Sequence, residues 1–317
     1  MRIYELFIDH IRLFVQDSLF VDDMHVPVLL KEVLEIFDPE PGEIFVDATI
    51  NGGGHARAIL EKVGPKGKVI GIEWDSELIA FLKSDAALAK AGNLTLIHAN
   101  YRDIETVIPH EIRGSAKGIL FDFGYSSYHI ASAGRGFSFS KDEPLDMRYD
   151  NHGAGITAKD IINEWPEDSI ADLLREYGEE RFASRIASRI AAARKTSAIT
   201  KTFELVRIIE DAVRGPRGRI HPATRTFQAL RIRVNDELEN IRNGLRGATR
   251  ALRPGGIIIA ISFHSLEDRI VKDFFRKMAQ GGNAEIITKK PVTAAREETE
   301  QNPRARSAKL RALRIKK

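Results

Sequence analysis

Apolar residues along this chain fall into short continuous runs that alternate with stretches of helical period. The runs Ile44–Ala48, Val69–Glu73, Leu94–His98, Gly118–Phe123 and Ile257–Phe263 are apolar at successive positions. That is the pattern of strands covered on both faces, as in a buried parallel sheet. Helical spacing follows the first two runs, at His55–Val63 and Ser76–Ala89, and also precedes the first, at Leu29–Phe37, where Pro39 and Pro41 stop it. The alternation predicts an α/β fold. Two late segments, Ala284–Lys289 and Ala308–Lys316, lack a clear helix between them and predict a closing antiparallel hairpin. No internal repeat is visible.

The gap between the fourth and fifth runs is far longer than one crossover helix requires. It reads as helices at Ala158–Asn163, Ser169–Tyr177, Glu180–Arg194 and Phe203–Val213, with Thr202 as N-cap of the last and Ala183, Ala187 and Ala191 suited to close packing. The chain therefore divides into an N-terminal extension (1–24), a discontinuous core (25–130 and 220–317) and an inserted helical domain (131–219). An insert there stands over the carboxyl ends of the strands, where open α/β sheets bind ligands. The extension is apolar with helical period at Ile3, Leu6, Phe7, Ile11, Phe14 and Val15, but Glu5, Asp9, Asp17, Asp22 and Asp23 argue against a secretory or organellar leader. It reads either as an accessory helix or as a start assigned too early.

The first run, Ile44-Phe-Val-Asp47, leads into Ala-Thr-Ile-Asn-Gly52-Gly-Gly-His55, a strand entering a glycine turn, and the second run ends on Glu73. Glycine lets backbone approach a ligand at positive φ, and an acid one strand later can accept both hydroxyls of a ribose. The turn lacks G-x-G-x-x-G spacing, so a nucleoside without a pyrophosphate, such as S-adenosylmethionine, fits better than a dinucleotide. Asp122 ends the fourth run and joins Asp47 and Glu73 at one edge. A carboxylate there can hold a cationic cofactor group or accept a hydrogen bond from the substrate; capping a helix is the ordinary alternative. The fifth run ends Ser262-Phe-His264-Ser265-Leu-Glu267-Asp268-Arg269, which puts Ser262 and His264 at the ligand edge and gives Ser265 with Asp268 a capping-box start for the next helix.

Charge adds a partner. The net charge is only +3, but Arg214, Arg217, Arg219, Arg225, Arg231 and Arg233 occur without an intervening acid, as do Arg304, Arg306, Lys309, Arg311, Arg314, Lys316 and Lys317. Two such runs beside a nucleoside site favour RNA, with Arg217, Arg219, Arg225, Arg304 and Arg306 as the expected backbone contacts. No apolar run approaches the ~20 residues of a membrane span, and the expected location is cytoplasmic. The histidines are scattered, so no metal site is expected. Cysteine is absent, which removes the thiol adduct that methylation of pyrimidine carbon 5 requires and leaves transfer to an exocyclic nitrogen or a ribose oxygen.

Several long segments resemble the bacterial ribosomal RNA small subunit methyltransferase H family, also called MraW. They are His25-Val-Pro-Val-Leu-Leu30, Asp47 to His55, Arg135-Gly-Phe-Ser-Phe139, Pro144-Leu-Asp-Met-Arg148, Tyr177-Gly-Glu-Glu-Arg-Phe182, His221-Pro-Ala-Thr-Arg-Thr-Phe-Gln228, Ser262 to Arg269 and Asn302-Pro-Arg-Ala-Arg-Ser307. The resemblance implies a class I, Rossmann-like methyltransferase with a helical insert. It would use S-adenosylmethionine to methylate N4 of a cytidine in the decoding centre of 16S rRNA in the small ribosomal subunit. The family's cofactor contacts fall on Gly53, Gly54, His55, Glu73, Tyr101, Asp122 and His129. Glu73 stands where the family often has Asp, and Ser126-Ser-Tyr-His129 replaces its Ser-Ser-Pro-Gln. For the chemistry, Asp122 or a backbone carbonyl is the expected acceptor of amine hydrogens, Tyr125 or Phe263 a stacking face, and Ser262 or His264 a contact to the base edge. A small-molecule methyltransferase and an RNA-binding assembly factor with a retained pocket are the alternatives; the basic runs argue against the first.

Overall fold

Parallel pairing brings Asp47 and Gly71 level with Leu120, and Asp122 level with Ile261, so that the ends of four neighbouring strands share one edge. The computed structural model describes residues 27–316 except 86–87, 89–90, 125, 132, 151, 154 and 214–220. The readings made for residues 1–24, Tyr125, Arg217 and Arg219 lie outside the described residues. The strands are β1 (Ile44–Asp47), β2 (Lys68–Glu73), β3 (Leu94–His98), β4 (Ala116–Asp122), β5 (Leu252–Ser262), β6 (Ala284–Ile286) and β7 (Lys309–Ile315). They form one sheet in the order β3-β2-β1-β4-β5-β7-β6, and β7 is antiparallel to both its neighbours. The strand order switches at β1, with β2 and β3 added on one side and β4 and β5 on the other, which opens a crevice at the carboxyl ends of β1 and β4.

Residues alternate between the two faces. Val46, Ile119 and Ile258 belong to one buried cluster, and Phe45, Leu120 and Ile259 to the other. Helices α1 (Leu30–Phe37), α2 (Gly54–Val63) and α3 (Ser76–Ser84) follow the early strands, and a short α4 (Ile104–Val107) and α5 (Ser127–Ala131) come next. The first cluster includes Ile241 and Leu245 of α11 (Glu237–Ala251) and Val271 and Phe275 of α12 (Ser265–Gln280); the second includes Val33 of α1 and Ile59 of α2.

A third apolar core lies within the insert, built by α6 (Ala158–Glu164), α7 (Glu167–Gly178), α8 (Ala183–Ala193), α9 (Thr202–Ala212) and α10 (Ala223–Asn235). Ala223, Phe227, Ala229 and Leu230 of α10 are part of it. We therefore draw the helical layer through Asn235, with the left-handed residue Asp236 (φ 53°) as the turn into α11, rather than ending it at 219. Two helix starts shift, one by a single residue and one by three. Lys201, not Thr202, caps α9: Glu204 accepts from the Thr200 and Lys201 amides, while Thr202 binds the Lys141 carbonyl and the Glu143 amide. Helix α8 starts at Ala183, not Glu180, because Glu179 is left-handed (φ 48°) and ends α7. Between β6 and β7 the chain also forms α13 (Arg296–Gln301) and a 3-10 turn (Pro303–Ser307), so the antiparallel pair is not a simple hairpin. Among the described residues no helix is long and apolar enough to cross a membrane.

Candidate active site

Three carboxyl groups meet at the crevice, and burial sets the state of each. Asp47 accepts from the Thr49 amide (3.3 Å) through one oxygen and leaves the other without a partner among the described residues. Burial pushes its pKa up to about 7. Glu73 accepts from the Asn51 amide (3.2 Å) on one oxygen and the Asp75 amide (2.9 Å) on the other, and burial raises it to about 7 as well. Asp122 is raised well above the ordinary range by burial, then by the charges of Asp47 and Glu267, against the pull of Arg304. Its amide donates to Thr49 Oγ1 (2.6 Å), and its Oδ1 is buried without a partner among the described residues.

Behind Asp122 stands His55. Its Nε2 lies 3.0 Å from the Val28 carbonyl, which requires the proton on that nitrogen, so Nδ1 is bare and faces Asp122 Oδ2 at 4.0 Å. Burial lowers the His55 pKa to about 4, keeping the ring neutral. The expected contacts thus separate. Glu73, Tyr101 and His129 line the cavity, together with Thr49, Asn51 and Trp74, which the sequence reading did not name. Gly53 and Gly54 belong to the turn behind it; a Cβ on Gly54 would come within 3.0 Å of the Pro27 ring.

His129 is oriented by its neighbours. Nδ1 accepts from Ser126, both amide (3.1 Å) and hydroxyl (2.9 Å), so Nε2 carries the proton and donates to Asp75 Oδ2 at 2.9 Å. Both nitrogens are used, and His129 presents its ring rather than a free donor to the cavity. Asp75 also caps α3 at the Glu77 (2.9 Å) and Leu78 (3.3 Å) amides and pairs with Arg135. Burial works to raise Asp75, but His129 and Arg135 outweigh it and hold the carboxyl below its usual range. Arg135 continues to the Arg148 and Tyr149 carbonyls (3.1 and 2.6 Å). Tyr149 stacks on Phe137 with centroids 5.4 Å apart, lies against His129 (4.9 Å) and Trp74 (5.9 Å), and hydrogen-bonds Glu237 (3.1 Å). This network fastens the helical layer over the sheet edge.

On the other side, β5 ends at a cluster that the separation of its members in sequence concealed. His264 Nε2 lies 3.2 Å from Glu267 Oε1, Glu237 pairs with Arg231 at 2.8 and 3.1 Å, and ligand atoms of Glu237, His264 and Glu267 fall within 4.8 Å of one another. Such a group could hold a metal ion. Each carboxylate already has a partner, however, since Glu267 accepts from the Phe263 (2.7 Å) and His264 (3.3 Å) amides. Glu267 thereby closes the start of α12, a task expected of Ser265 and Asp268. Those two bind elsewhere: Ser265 donates to Glu179 (2.7 Å), and Asp268 takes Arg311 (2.6 Å). Ser262 is fully buried, with its hydroxyl 3.4 Å from the Lys309 carbonyl on β7, which turns it away from a base-edge role.

Phe263 lies against Gly124. A Cβ at Gly124 would meet the Phe263 ring at 3.2 Å, and its φ of 117° is one that L residues rarely adopt. Gly124→Ala is expected to destabilise the protein by about 1–3 kcal/mol, measured as a lower midpoint of chemical unfolding; an unchanged midpoint would mean the ring and backbone yield freely.

The expected RNA contacts scatter. Arg225 is exposed and donates to the Glu179 carbonyl (2.8 Å), Arg306 is exposed, and Arg304 is half-buried and acts on Asp122 through its charge. Arg231 points inward to Glu237, and Arg233 lies over the Trp165 ring (5.2 Å).

The family model described as the MraW methylase family matches residues 22–316. The chain belongs to the MraW methylase family. Among its relatives is the ribosomal RNA small subunit methyltransferase H of Syntrophotalea carbinolica, 45% identical over 308 residues, covering 92% of this chain and 97% of that protein. Proteins of the same name from Heliobacterium modesticaldum and Geobacter sulfurreducens are each 46% identical and cover 91% of this chain and 97% of their own lengths. The methyl donor that this MraW membership implies, S-adenosylmethionine, fits the residues present. It carries a sulfonium and an ammonium, and the crevice holds three carboxyls raised by burial, two of them with an oxygen unpartnered among the described residues.

Proposed function

We propose that this methylase transfers a methyl group from S-adenosylmethionine to N4 of a cytidine in the decoding centre of 16S rRNA, within the small ribosomal subunit in the cytoplasm. The observation that carries the reading is Asp122. It ends β4 at the crevice with a buried oxygen unpartnered among the described residues, between the carboxyls of Asp47 and Glu73 on one side and Phe263, His264 and Glu267 on the other. The names of the relatives supply the substrate class, and the lack of cysteine excludes a thiol adduct at carbon 5.

When bound, S-adenosylmethionine supplies an electrophilic methyl group. Glu73, with one backbone amide on each oxygen, keeps a lone pair on each for the ribose hydroxyls. Asp47, with one buried oxygen unpartnered among the described residues, is the group placed for its cationic part. The lone pair of cytosine N4 is delocalised into the ring, so the protein must align the nitrogen and give its hydrogens an acceptor. Asp122 Oδ1 is that acceptor. Phe263, seated on Gly124, offers a face to the base, and His264 a contact to its edge. Arg135, Asp75 and Tyr149 hold the helical layer down and exclude water from the crevice.

The test is labelled methyl transfer to small subunits lacking their own methylation, followed by mass spectrometry of the rRNA nucleosides. N4-methylcytidine at the decoding centre is the expected product. Cofactor binding with no labelled nucleoside on subunits or naked rRNA would remove the substrate assignment.

A further inference from the structure

A cleft of about 500 Å³ lies beside the far edge of the sheet, away from the cofactor cavity, where α12 packs against β6 and β7. Lys272 and Arg276, one turn apart on α12, face Lys289 and Lys290 from the segment after β6, with Phe275 and Ile286 also lining the cleft. Among the described residues none of these four cations is ion-paired. Of the acids close by, Asp268 is shared by Arg311 (2.6 Å) and Lys309 (3.6 Å) and Glu285 pairs with Arg314 (3.9 Å), which leaves the exposed Asp273, between Lys272 and Arg276 on α12, against four cations. A surplus of positive charge along two walls costs repulsion unless something negative lies between them.

The cleft is also tied to the active edge. Arg311, in its wall, binds Asp268; Asp268 binds Lys309; and Lys309 pairs in register with Ser262, the last residue of β5. We propose that this cleft grips the phosphodiester backbone of the rRNA substrate at nucleotides beyond the one methylated. The proposal rests on the RNA reading above and adds a site to it. Charges spread along a groove suit a chain of phosphates, whereas a single small anion calls for donors converging on one point. These contacts would set affinity and register without reading sequence.

The experiment uses the full chain carrying Lys272→Gln, Arg276→Gln, Lys289→Gln and Lys290→Gln, beside a charge-keeping control in which each lysine becomes arginine and Arg276 becomes lysine. S-adenosylmethionine affinity and thermal unfolding report on the fold. Binding to protein-free small-subunit rRNA and to small subunits is measured across a salt series. Expected are unchanged cofactor affinity and at least a tenfold loss of rRNA affinity at about 0.1 M salt, with the slope of log K against log salt shallower by roughly 3 to 4, given about 0.7–0.9 per phosphate contact; the control should retain both. An unchanged slope overturns the proposal. So does a loss confined to assembled subunits, which would make the partner an acidic ribosomal protein. A wild-type protein with no salt-dependent RNA affinity would instead overturn the RNA reading itself.

Discussion

Asp122→Ala is expected to lower the methylation rate at least a hundredfold while changing S-adenosylmethionine affinity by less than about threefold. The direction follows from where its two oxygens lie: Oδ2 faces the bare Nδ1 of His55, and Oδ1 is buried with no partner among the described residues. A buried acceptor left open in the absence of substrate is matched when an amine hydrogen arrives, and loss of such a positioned group costs about 10²–10⁴ in rate. Asp122→Asn separates shape from charge. It keeps an oxygen acceptor but not the carboxylate, so a partial loss points to hydrogen-bond acceptance and a complete one to proton removal. Single-turnover transfer to small subunits, paired with calorimetry of cofactor binding, reads both. Equal losses of rate and affinity would reduce Asp122 to a cofactor-binding residue and return the acceptor to a backbone carbonyl.

The sheet could be read from the chain because its strands are buried on both faces and announce themselves as continuous apolar runs. Four early strand readings lie within about two residues of the structure. Less legible were features that depend on partners distant in sequence. The run from Arg304 onward has no local acid, yet the fold supplies Asp268 to Arg311 and Glu285 to Arg314. Arg231, one of a row of arginines, turns inward because Glu237 sits across the break between α10 and α11. Glu267 reads in the sequence as one acid among several, although its carboxylate closes the start of α12. For His129 the signal was a departure from the family pattern, and only the geometry shows why a histidine serves: Ser126 and Asp75 occupy its two nitrogens. The cleft beside α12 joins residues 272–276 to 289–290, and neither pair stands out in the sequence.

A trade between stability and cofactor binding should be measurable at Asp47. Its carboxyl, ordinarily near 3.8, is raised to about 7 in the folded protein by burial. The folded state therefore holds a proton that the unfolded chain has already lost between about pH 4 and 7. The stability contributed is complete below pH 4, declines as pH rises through 7 and is gone above it. The rise from 3.8 to about 7 is worth up to about 4 kcal/mol. Glu73 acts in the same direction over pH 4.5 to 7, while Asp75 and Glu267, both held below their usual range, act in the opposite one at lower pH. Comparing Asp47→Asn with wild type isolates the one carboxyl. Without cofactor, the variant should gain several degrees in Tm relative to wild type between pH 5 and pH 8, and it should bind S-adenosylmethionine at least tenfold more weakly at pH 8. In the wild type, affinity for the cationic cofactor should fall as pH drops below 7, because binding must first expel the protons from Asp47 and Glu73. A Tm difference independent of pH would show that Asp47 ionises freely in the folded protein, and the crevice would then lack the unbalanced charge that makes it a site for a cation.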